Sequence, residues 1–371
     1  SECFSYIKAR EDLIPRDYEK RLKEAKYFVV LKNGVLDLRS LELRKHSPEY
    51  LTFYELKAKW TGKRDTEFFE KFLNQISDGD QQIRTRIQEV MGYLMSSLND
   101  GKCFFVMGTA PDSGKSTIGN LLREIIGERY IAYRATYQLS NRFSLGDTQG
   151  KLINMAMDLP KGKLDAMTVA LLKQITGGDL ITVEKKYENM RSIRSKMRFL
   201  FASNYPVVIP KVDDDTAFWE RMIIIPFEHS VPKPELDHEL LEKLFQEKNS
   251  IVTRCLCAVH KVVTRNFSFS HCAVADNMKK RWRYQLEDIS GTIEQYVSEK
   301  LTVTGNVSDK VYLQDIYLNY RKYCTQQGLM AVTYEYFSNW LKMTFQNCEF
   351  RRIRCASKDN PRIGVIGMCE K

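Results

Sequence analysis

The stretch that decides the fold is CFFVMGTAPDSGKST, residues 103–117, with the dozen residues that follow it. An apolar run from Cys103 to Met107 ends at Gly108, a short polar turn follows, and an apolar-periodic segment continues to Gly127. The apolar residues of that last segment have the spacing that buries one face of a helix. The order of strand, loop and helix therefore predicts a β–α unit of an α/β domain.

The loop of this unit has the composition of a phosphate-binding loop. In such a loop several backbone N–H groups point toward the N-terminus of the next helix, where the dipole favours negative charge. We expect Lys115 to contact the β- and γ-phosphates of ATP and the Ser116 hydroxyl to bind Mg²⁺. Further contacts are predicted from the other residues of the loop, Gly108, Thr109, Asp112, Ser113, Gly114 and Thr117.

The loop departs from the strict P-loop pattern at one position. That pattern has a glycine five positions before its second glycine. Thr109 stands there, and Gly108 comes one residue too early. A glycine-rich β–α turn without a ligand has a similar composition. However, the strand, the Gly-Lys-Ser-Thr run and the helix follow one another in the order that nucleotide binding requires.

The composition is that of a globular protein with an excess of basic residues. Of the 371 residues 43% are hydrophobic and 28% are charged, and the formal net charge is +10. This charge allows a polyanionic partner such as nucleic acid but does not require one. No apolar stretch approaches the roughly 20 residues that span a bilayer, so no membrane is expected as a partner. The nine cysteines include no C-x-x-C pair, which favours a reducing, cytoplasmic location.

Three further apolar runs predict strands of a parallel sheet: Lys151–Met157, Arg198–Ala202 and Met222–Pro226. The first is followed by Asp158, and the second is followed closely by Asn204. A P-loop enzyme needs an acidic group near Mg²⁺ and the attacking water, and doubly wound sheets place such groups at strand ends. We therefore expect Asp158 to bind Mg²⁺ and Asn204 to orient the water or contact the γ-phosphate.

These assignments have simpler alternatives. An aspartate at a strand end is often only a turn former, and Asp147 and Asp165 are the other candidates for the acidic role. Asn204 precedes Tyr205-Pro206 and has the sequence of an asparagine-initiated turn.

Arg221 comes directly before the third of these strands. An arginine supplied by a neighbouring subunit can stabilise the charge on a transferred phosphoryl group, provided that it is exposed at a subunit edge. The alternative is a salt bridge with Glu220 or with the run Asp213–Asp215.

A basic segment lies between Asp158 and Asn204. Thr176-Gly177-Gly178-Asp179 is followed by β-branched residues, and Glu184 to Arg198 contains six basic and two acidic side chains. This pattern predicts a projecting β-hairpin. Lysines at its tip can neutralise phosphates and a tyrosine can stack on a base, although a charge run is commonly only a solvated face. The predicted DNA contacts are Lys185, Lys186 and Tyr187.

The last 60 or so residues predict a winged-helix order. Helices are expected over Val311–Tyr323 and Tyr334–Phe345, and a hairpin over Phe350–Arg354 and Arg362–Met368. Residues 310–371 carry ten basic and five acidic side chains. Winged helices also bind proteins, so both kinds of partner stay open. The residues expected to lie along DNA phosphates are Lys342, Arg351, Arg352, Arg354 and Arg362.

The chain is thus expected to contain four parts. Asn33-Gly34 predicts a type I′ hairpin turn near the start of the chain, and Leu301–Asp309 has the composition of a linker. The predicted parts are a mostly helical, collar-like N-terminal domain with this hairpin (1–99), a P-loop ATPase core (100–232), a helical lid or linker (233–300) and a winged-helix-like DNA-binding domain (301–371).

Together these elements resemble the superfamily 3 helicases, specifically the helicase half of phage and plasmid primase–helicases, a group that includes satellite-phage and poxvirus replication proteins. The resemblance runs from about residue 28 to the C-terminal region. It is carried by KNGVLDLRSLELRKHSP (32–48), GTAPDSGKST (108–117), LLKQITGGDLITVEKKYE (171–188), FLFASNYPVVIP (199–210) and FWERMIIIPF (218–227).

The resemblance implies an AAA+-like core that forms a hexameric ring, hydrolyses ATP and translocates on single-stranded DNA. Leu159 stands where the family often has a second acidic residue, which leaves the general base unassigned. Proteins of this family often have a primase domain upstream, and no stretch here resembles one, which is consistent with a fragment or with a helicase-only version. The partners that the resemblance implies include a primase, either as an upstream domain or as a separate chain. The implied roles are Walker A for Lys115 and Ser116, Walker B for Asp158, sensor 1 for Asn204, arginine finger for Arg221 and pore hairpin for Lys185 to Tyr187.

The expected function is that of an ATP-dependent DNA helicase of a mobile-element or phage replication system, with single-stranded and forked DNA as partners. The alternative is an origin-binding or loading ATPase whose nucleotide cycle switches assembly without processive unwinding. A small-molecule kinase is a third hypothesis, and the long basic insert argues against it.

Overall fold

The computed structural model describes residues 17–141, 145–146, 148, 150–184, 190–195, 197–209, 216–232, 234, 236–237, 239–284, 291–327, 331–355 and 360–370. The chain divides into two compact units, one ending at Lys279 and the other beginning at Lys280. Within the described ranges, no helix has both the length and the apolarity needed to cross a membrane.

The first unit alternates helices and strands along the chain. Its strands are β1 (Phe28–Leu31), β2 (Gly34–Asp37), β3 (Glu42–Arg44), β4 (Phe104–Thr109), β5 (Ile131–Ala132), β6 (Ile153–Ala156), β7 (Leu180–Val183), β8 (Arg191–Arg194), β9 (Arg198–Ala202) and β10 (Met222–Phe227). Its helices are α1 (Tyr18–Glu24), α2 (Phe68–Ile76), α3 (Gln81–Leu94), α4 (Lys115–Ile126), α5 (Thr136–Leu139), α6 (Ala166–Gly177), α7 (Thr216–Arg221), α8 (Leu240–Gln246), α9 (Lys248–Thr264) and α10 (Ala273–Tyr284), the last of which runs across the division between the units.

A five-stranded parallel sheet forms the centre of this unit, with the spatial order β10-β4-β9-β6-β5. Strands β6 and β9 are buried along their whole length, as in parallel sheets that are covered on both faces. Strand β4 lies between β9 and β10, where the strand order reverses. In open α/β sheets this switch point is where ligands bind. The predicted α/β class is confirmed.

Two glycines allow helices of this unit to approach their neighbours closely. A Cβ on Gly92 of α3 would lie 2.1 Å from the Cys255 carbonyl oxygen of α9, and one on Gly119 of α4 would lie 2.7 Å from Met157 Cε. The first neighbour is a backbone atom, so the close crossing of α3 and α9 depends on glycine at position 92. The second is the end of a flexible methionine side chain, which can move aside.

The hairpin near the start of the chain is present, but its turn differs from the prediction. The ladder ends at the pair Leu31↔Gly34, so the turn residues are Lys32 and Asn33. Neither has the positive φ of a type I′ turn. Instead the Asn33 side chain is held in place, because it donates a hydrogen bond to the Trp60 carbonyl (2.8 Å) and accepts one from the Trp60 N–H (2.9 Å).

The second unit has the predicted order of helices and hairpin. Its helices are α11 (Thr292–Lys300), α12 (Leu313–Gln326) and α13 (Tyr334–Thr344), and its strands are β11 (Leu301–Val303), β12 (Lys310–Tyr312), β13 (Glu349–Ile353), β14 (Arg362–Ile366) and β15 (Met368–Glu370). Strands β12, β14 and β13 form one antiparallel sheet. An aromatic core fills the unit, in which the rings of Tyr320 and Phe337 stack with centroids 4.7 Å apart.

The predicted linker over Leu301–Asp309 is wrong at its start. Residues 301–303 form β11, which pairs antiparallel with β15 at the other end of the unit. Helix α11 packs with these C-terminal elements, because Ile293 and Tyr296 belong to their core. The compact units thus divide at Lys279/Lys280, whereas the predicted boundary at 300/301 groups α11 with the helices that precede it.

Candidate functional site

A cavity of about 620 Å³ opens at the C-terminal edge of the parallel sheet, within the first unit. The P-loop residues 111–117 form its floor, and Asp158 and Asn204 face it from the ends of the neighbouring strands. The remaining walls come from α2, from α4 and from the segment before and within α8. Besides those residues, the side chains that line it are Phe72, Gln75, Asn120, Met157, Val231, Leu236, Asp237, Leu240 and Leu241.

Lys115 lies in the loop, with its ammonium group directed at the loop's own oxygen atoms. Its Nζ donates hydrogen bonds to the Ala110 carbonyl and to Ser113 Oγ, the second at 3.1 Å. Ser113 Oγ in turn donates to the Ala110 carbonyl at 2.7 Å. Burial lowers the pKa of Lys115, and the nearby Asp112 carboxylate opposes this in part. A bound phosphate would bring further negative charge to this partly desolvated ammonium, beside that of Asp112.

The P-loop is fixed to the strand on its other side. The Ala110 N–H donates to the Phe227 carbonyl (2.7 Å) at the end of β10. Two further hydrogen bonds join the loop to the segment after β10: Ser230 Oγ donates to the Pro111 carbonyl (2.7 Å) and the Val231 N–H to the Asp112 carbonyl (2.9 Å). The carbonyls of Pro111 and Asp112 are thus bonded to the segment after β10, on the side of the loop away from the N-terminus of α4.

Helix α2 presses against this loop, a contact that sequence reasoning missed. Gly114 has φ +89°, and a Cβ there would lie 2.7 Å from Ile76 Cγ2 and 3.0 Å from Phe72 Cε2. The α2 N-terminus is in turn capped by Glu247, whose carboxylate accepts hydrogen bonds from the N–H groups of Glu67, Phe68 and Phe69. The apolar spacing of α2 was visible in the sequence, but not the surface on which it packs.

Asp158 and Asn204 both reach the cavity, as their strand-end positions predicted. Both side chains are exposed to it. Asn204 lies in a turn in which Ser203 Oγ accepts a hydrogen bond from the Tyr205 N–H at 3.0 Å. The Ser203 side chain holds this turn, and no hydrogen bond of the Asn204 side chain occurs among the described residues. The structure therefore does not show the asparagine-initiated turn, while Asn204 does lie at the predicted position beside the cavity.

The hydroxyl of Ser116 and the carboxylate of Asp158 face the same cavity. These are hard oxygen ligands of the kind that Mg²⁺ takes, usually one or two from the protein with the rest from water and phosphate. The two residues therefore fit the expected magnesium. No cluster of three or more metal-ligating side chains occurs among the described residues.

Asp165, another acidic candidate, is not among the residues that line the cavity. Asp165 caps α6, because its Oδ1 accepts a hydrogen bond from the Thr168 N–H (2.8 Å) and its Oδ2 one from the Thr168 hydroxyl (2.6 Å). Asp147 lies outside the described residues. Leu159 is buried, and its N–H donates to the Ala202 carbonyl (2.8 Å). In the described part of the segment after β6, Asp158 is therefore the carboxylate that faces the cavity.

Arg221 lies at the N-terminal ends of the strands, on the side of the sheet opposite the P-loop. It ends α7, and the next residue, Met222, pairs with Phe104 at the beginning of β4. The length of β10 separates it from the P-loop edge by roughly 17 Å. Its Nη1 donates to the Ala217 carbonyl (2.9 Å). Among described residues it makes no ion pair with Glu220; the alternative partners Asp213–Asp215 lie outside the described part of the chain.

The structure shows both strands of the predicted basic hairpin. β7 and β8 pair antiparallel from Leu180↔Arg194 to Val183↔Arg191. Ile181 and Val183 are buried while Leu180 is 57% exposed, so one face of the hairpin packs inward and the other is free. The predicted tip residues Lys185, Lys186 and Tyr187 lie outside the described residues, and their DNA contacts stay a prediction.

The basic side chains of the second unit are exposed but not all on one face. Arg351 and Arg352 are consecutive in β13 and therefore project from opposite faces of the strand. Arg351 Nε pairs with Glu349 (2.9 Å), and Arg362 lies over the Tyr312 ring at 3.9 Å. Arg354 and Lys342 are also exposed. A single line of phosphates can contact only part of this set.

Two family models match the chain. One, described as "D5 N terminal like", matches residues 1–78, and the other, a "Family of unknown function" (DUF5906), matches residues 106–221, which include the P-loop and Asn204.

Two curated viral proteins are similar to the chain. It is 24% identical over 335 residues to "Putative helicase L207/L206" of Acanthamoeba polyphaga mimivirus, a match that covers 83% of this chain and 34% of that protein. It is also 24% identical over 246 residues to "Putative helicase 121R" of Invertebrate iridescent virus 3, covering 61% and 26%. The chain spans about a third or less of these relatives. The predicted relationship to viral helicases is supported at this level.

A solved structure shares the fold. The apo structure of the C-terminal region of NrS-1 matches with a TM-score of 0.50 and 14% identity, and the match covers 84% of this chain and 77% of that one. At this identity the likeness concerns the fold alone.

Proposed function

We propose that this chain is the ATPase and DNA-translocating part of a superfamily 3 helicase. One observation carries the proposal: Lys115, Asp158 and Asn204 come from three separate segments and face one cavity at the switch point of a parallel sheet. That combination serves phosphoryl transfer, in which positioning and charge stabilisation do most of the work. The similarity to viral proteins named as helicases supports the choice of activity.

In the proposed reaction the α4 N-terminus and the P-loop N–H groups bind the phosphates of ATP, and Lys115 neutralises charge on the β- and γ-phosphates. Ser116 and Asp158 would hold Mg²⁺, which would neutralise negative charge that develops on the phosphates. Asn204 orients the attacking water. The general base stays unassigned, because Leu159 is buried in the place of a second acidic residue.

The proposed assembly is a homo-hexameric ring. Within one chain Arg221 is too far from the P-loop to touch the nucleotide, so in this proposal it acts on the site of a neighbouring subunit. The β7–β8 hairpin carries the contacts with single-stranded DNA, and the basic surface of the second unit, proposed as a winged helix, contacts forked DNA. Primase activity is expected from another protein or an upstream segment, and the proposed location is the cytoplasm.

Unwinding of a forked duplex tests this proposal. Wild-type protein with ATP should separate the strands, and Lys115→Ala should abolish separation because the phosphate-binding cation is lost. Lys45→Ala is the matched control, since this exposed lysine lies in the loop after β3 and outside the cavity. Equal unwinding by wild type and Lys115→Ala would refute the proposal.

The alternative, an origin-binding or loading ATPase, is favoured by the exposed arginines of β13. It predicts ATP-dependent duplex binding without unwinding. Duplex binding and strand separation, measured on the same fork with wild type, Arg351→Ala and Arg352→Ala, distinguish the two functions.

A further inference from the structure

The cavity extends beyond the phosphate-binding loop into a slot between α2 and the segment that leads into α8. One wall of the slot is Phe72 and Gln75 of α2. The facing wall is apolar and consists of Val231, Leu236, Leu240 and Leu241. An apolar region with few polar groups, in the same cavity as a phosphate-binding loop, has the character of a pocket for a nucleotide base.

Gln75 is the polar side chain of this slot with hydrogen-bonding capacity to spare. It is half-buried, and it follows Phe72 by three residues, so both lie on the same side of α2. No hydrogen bond joins its amide to any residue in the described part of the chain. The other polar group, Asp237, is already engaged: its Oδ2 binds Lys243 Nζ (2.7 Å) and its Oδ1 accepts from the Glu239 N–H (2.9 Å).

We infer that Gln75 recognises the base and makes the site selective for adenine over guanine; this inference rests on the proposed ATPase function. A glutamine amide presents one acceptor and one donor side by side. The N6 amino group and N7 of adenine complement both, whereas O6 and N7 of guanine are two acceptors and satisfy only the donor. A base held there would pack against the apolar side chains of Phe72, Leu240 and Leu241.

Competition binding tests the inference. A fluorescent ADP analogue is displaced by ATP, GTP or 7-deaza-ATP from wild type, Gln75→Ala and, as the matched control on the exposed side of α2, Asn74→Ala. Wild type and Asn74→Ala should prefer ATP over GTP by about tenfold or more. They should also bind 7-deaza-ATP, which lacks N7, more weakly than ATP. Gln75→Ala should lower the affinity for ATP, so that the three competitors bind with similar affinities.

The outcomes separate this inference from the proposed function. If Lys115→Ala loses the analogue while Gln75→Ala keeps the wild-type preference for ATP, the nucleotide site stands and the role of Gln75 is wrong. Equal affinity of the wild type for ATP, GTP and 7-deaza-ATP would refute it even if Gln75→Ala failed to fold. Absence of nucleotide binding by wild type would refute the proposed function itself, and this inference with it.

Discussion

Replacing Gly114 by alanine tests the contact between α2 and the P-loop. At φ +89° an alanine pays about 1–2 kcal/mol for the left-handed backbone. Its Cβ would also lie 2.7 Å from Ile76 Cγ2 and 3.0 Å from Phe72 Cε2, and overpacking of this kind costs about 1–3 kcal/mol. We therefore expect Gly114→Ala to lower the free energy of unfolding by about 2–5 kcal/mol.

Gly79 provides a matched control. It has φ +75° in the turn after α2, and a Cβ there meets nothing within 4 Å. Gly79→Ala should therefore cost only the backbone term of about 1–2 kcal/mol. Chemical unfolding of both variants gives the difference, and ADP binding by both shows whether the loop has moved. Equal destabilisation, or unchanged ADP affinity in Gly114→Ala, would refute the argument that α2 positions the loop.

Three further predictions concern the site and its assembly. Burial lowers the pKa of Lys115 below its ordinary 10.5, and only the protonated form neutralises phosphate, so ADP affinity should fall as pH rises through that lowered pKa. Lys115→Arg stays protonated and should make ADP affinity nearly independent of pH over this range. The same pH profile in wild type and Lys115→Arg would contradict the role of Lys115 at the phosphates. Glu247→Ala should destabilise the first unit by about 1–2 kcal/mol because α2 loses its cap, and it should weaken nucleotide binding because α2 packs on the P-loop. Glu239 is 76% exposed, so Glu239→Ala should have neither effect. Similar effects of the two substitutions would argue against the cap. Lys115→Ala and Arg221→Ala should each abolish ATP hydrolysis when assayed separately. A mixture of the two variants should regain part of the activity, since a mixed ring contains some interfaces at which both residues are intact. No recovery in mixtures that form rings would contradict a site shared between subunits.

Most of the sheet and its catalytic edge could be predicted from local sequence. Apolar runs that stop at a polar residue identified β6 and β9, and the shared edge of parallel strands then placed Asp158 and Asn204 at the P-loop. The Gly-Gly turn and alternating β-branched residues likewise identified the β7–β8 hairpin.

The features that the sequence did not predict depend on contacts between distant segments. Gln75 and Phe72 belong to the cavity because α2 packs on Gly114, which the helical spacing of α2 does not encode. The turn at Asn33 follows its hydrogen bonds to Trp60 rather than the Asn-Gly preference. Strand β11 is three residues long, and its partner β15 lies near the end of the chain, so no local periodicity reveals it.

The most direct test of the central claim is the rate of ATP hydrolysis by wild type, Lys115→Ala and Asp158→Asn, each with and without single-stranded DNA. The account predicts hydrolysis that single-stranded DNA accelerates in wild type and that both substitutions abolish, with Lys45→Ala unaffected. Hydrolysis that persists in Lys115→Ala and Asp158→Asn, or that DNA leaves unchanged in wild type, would contradict it.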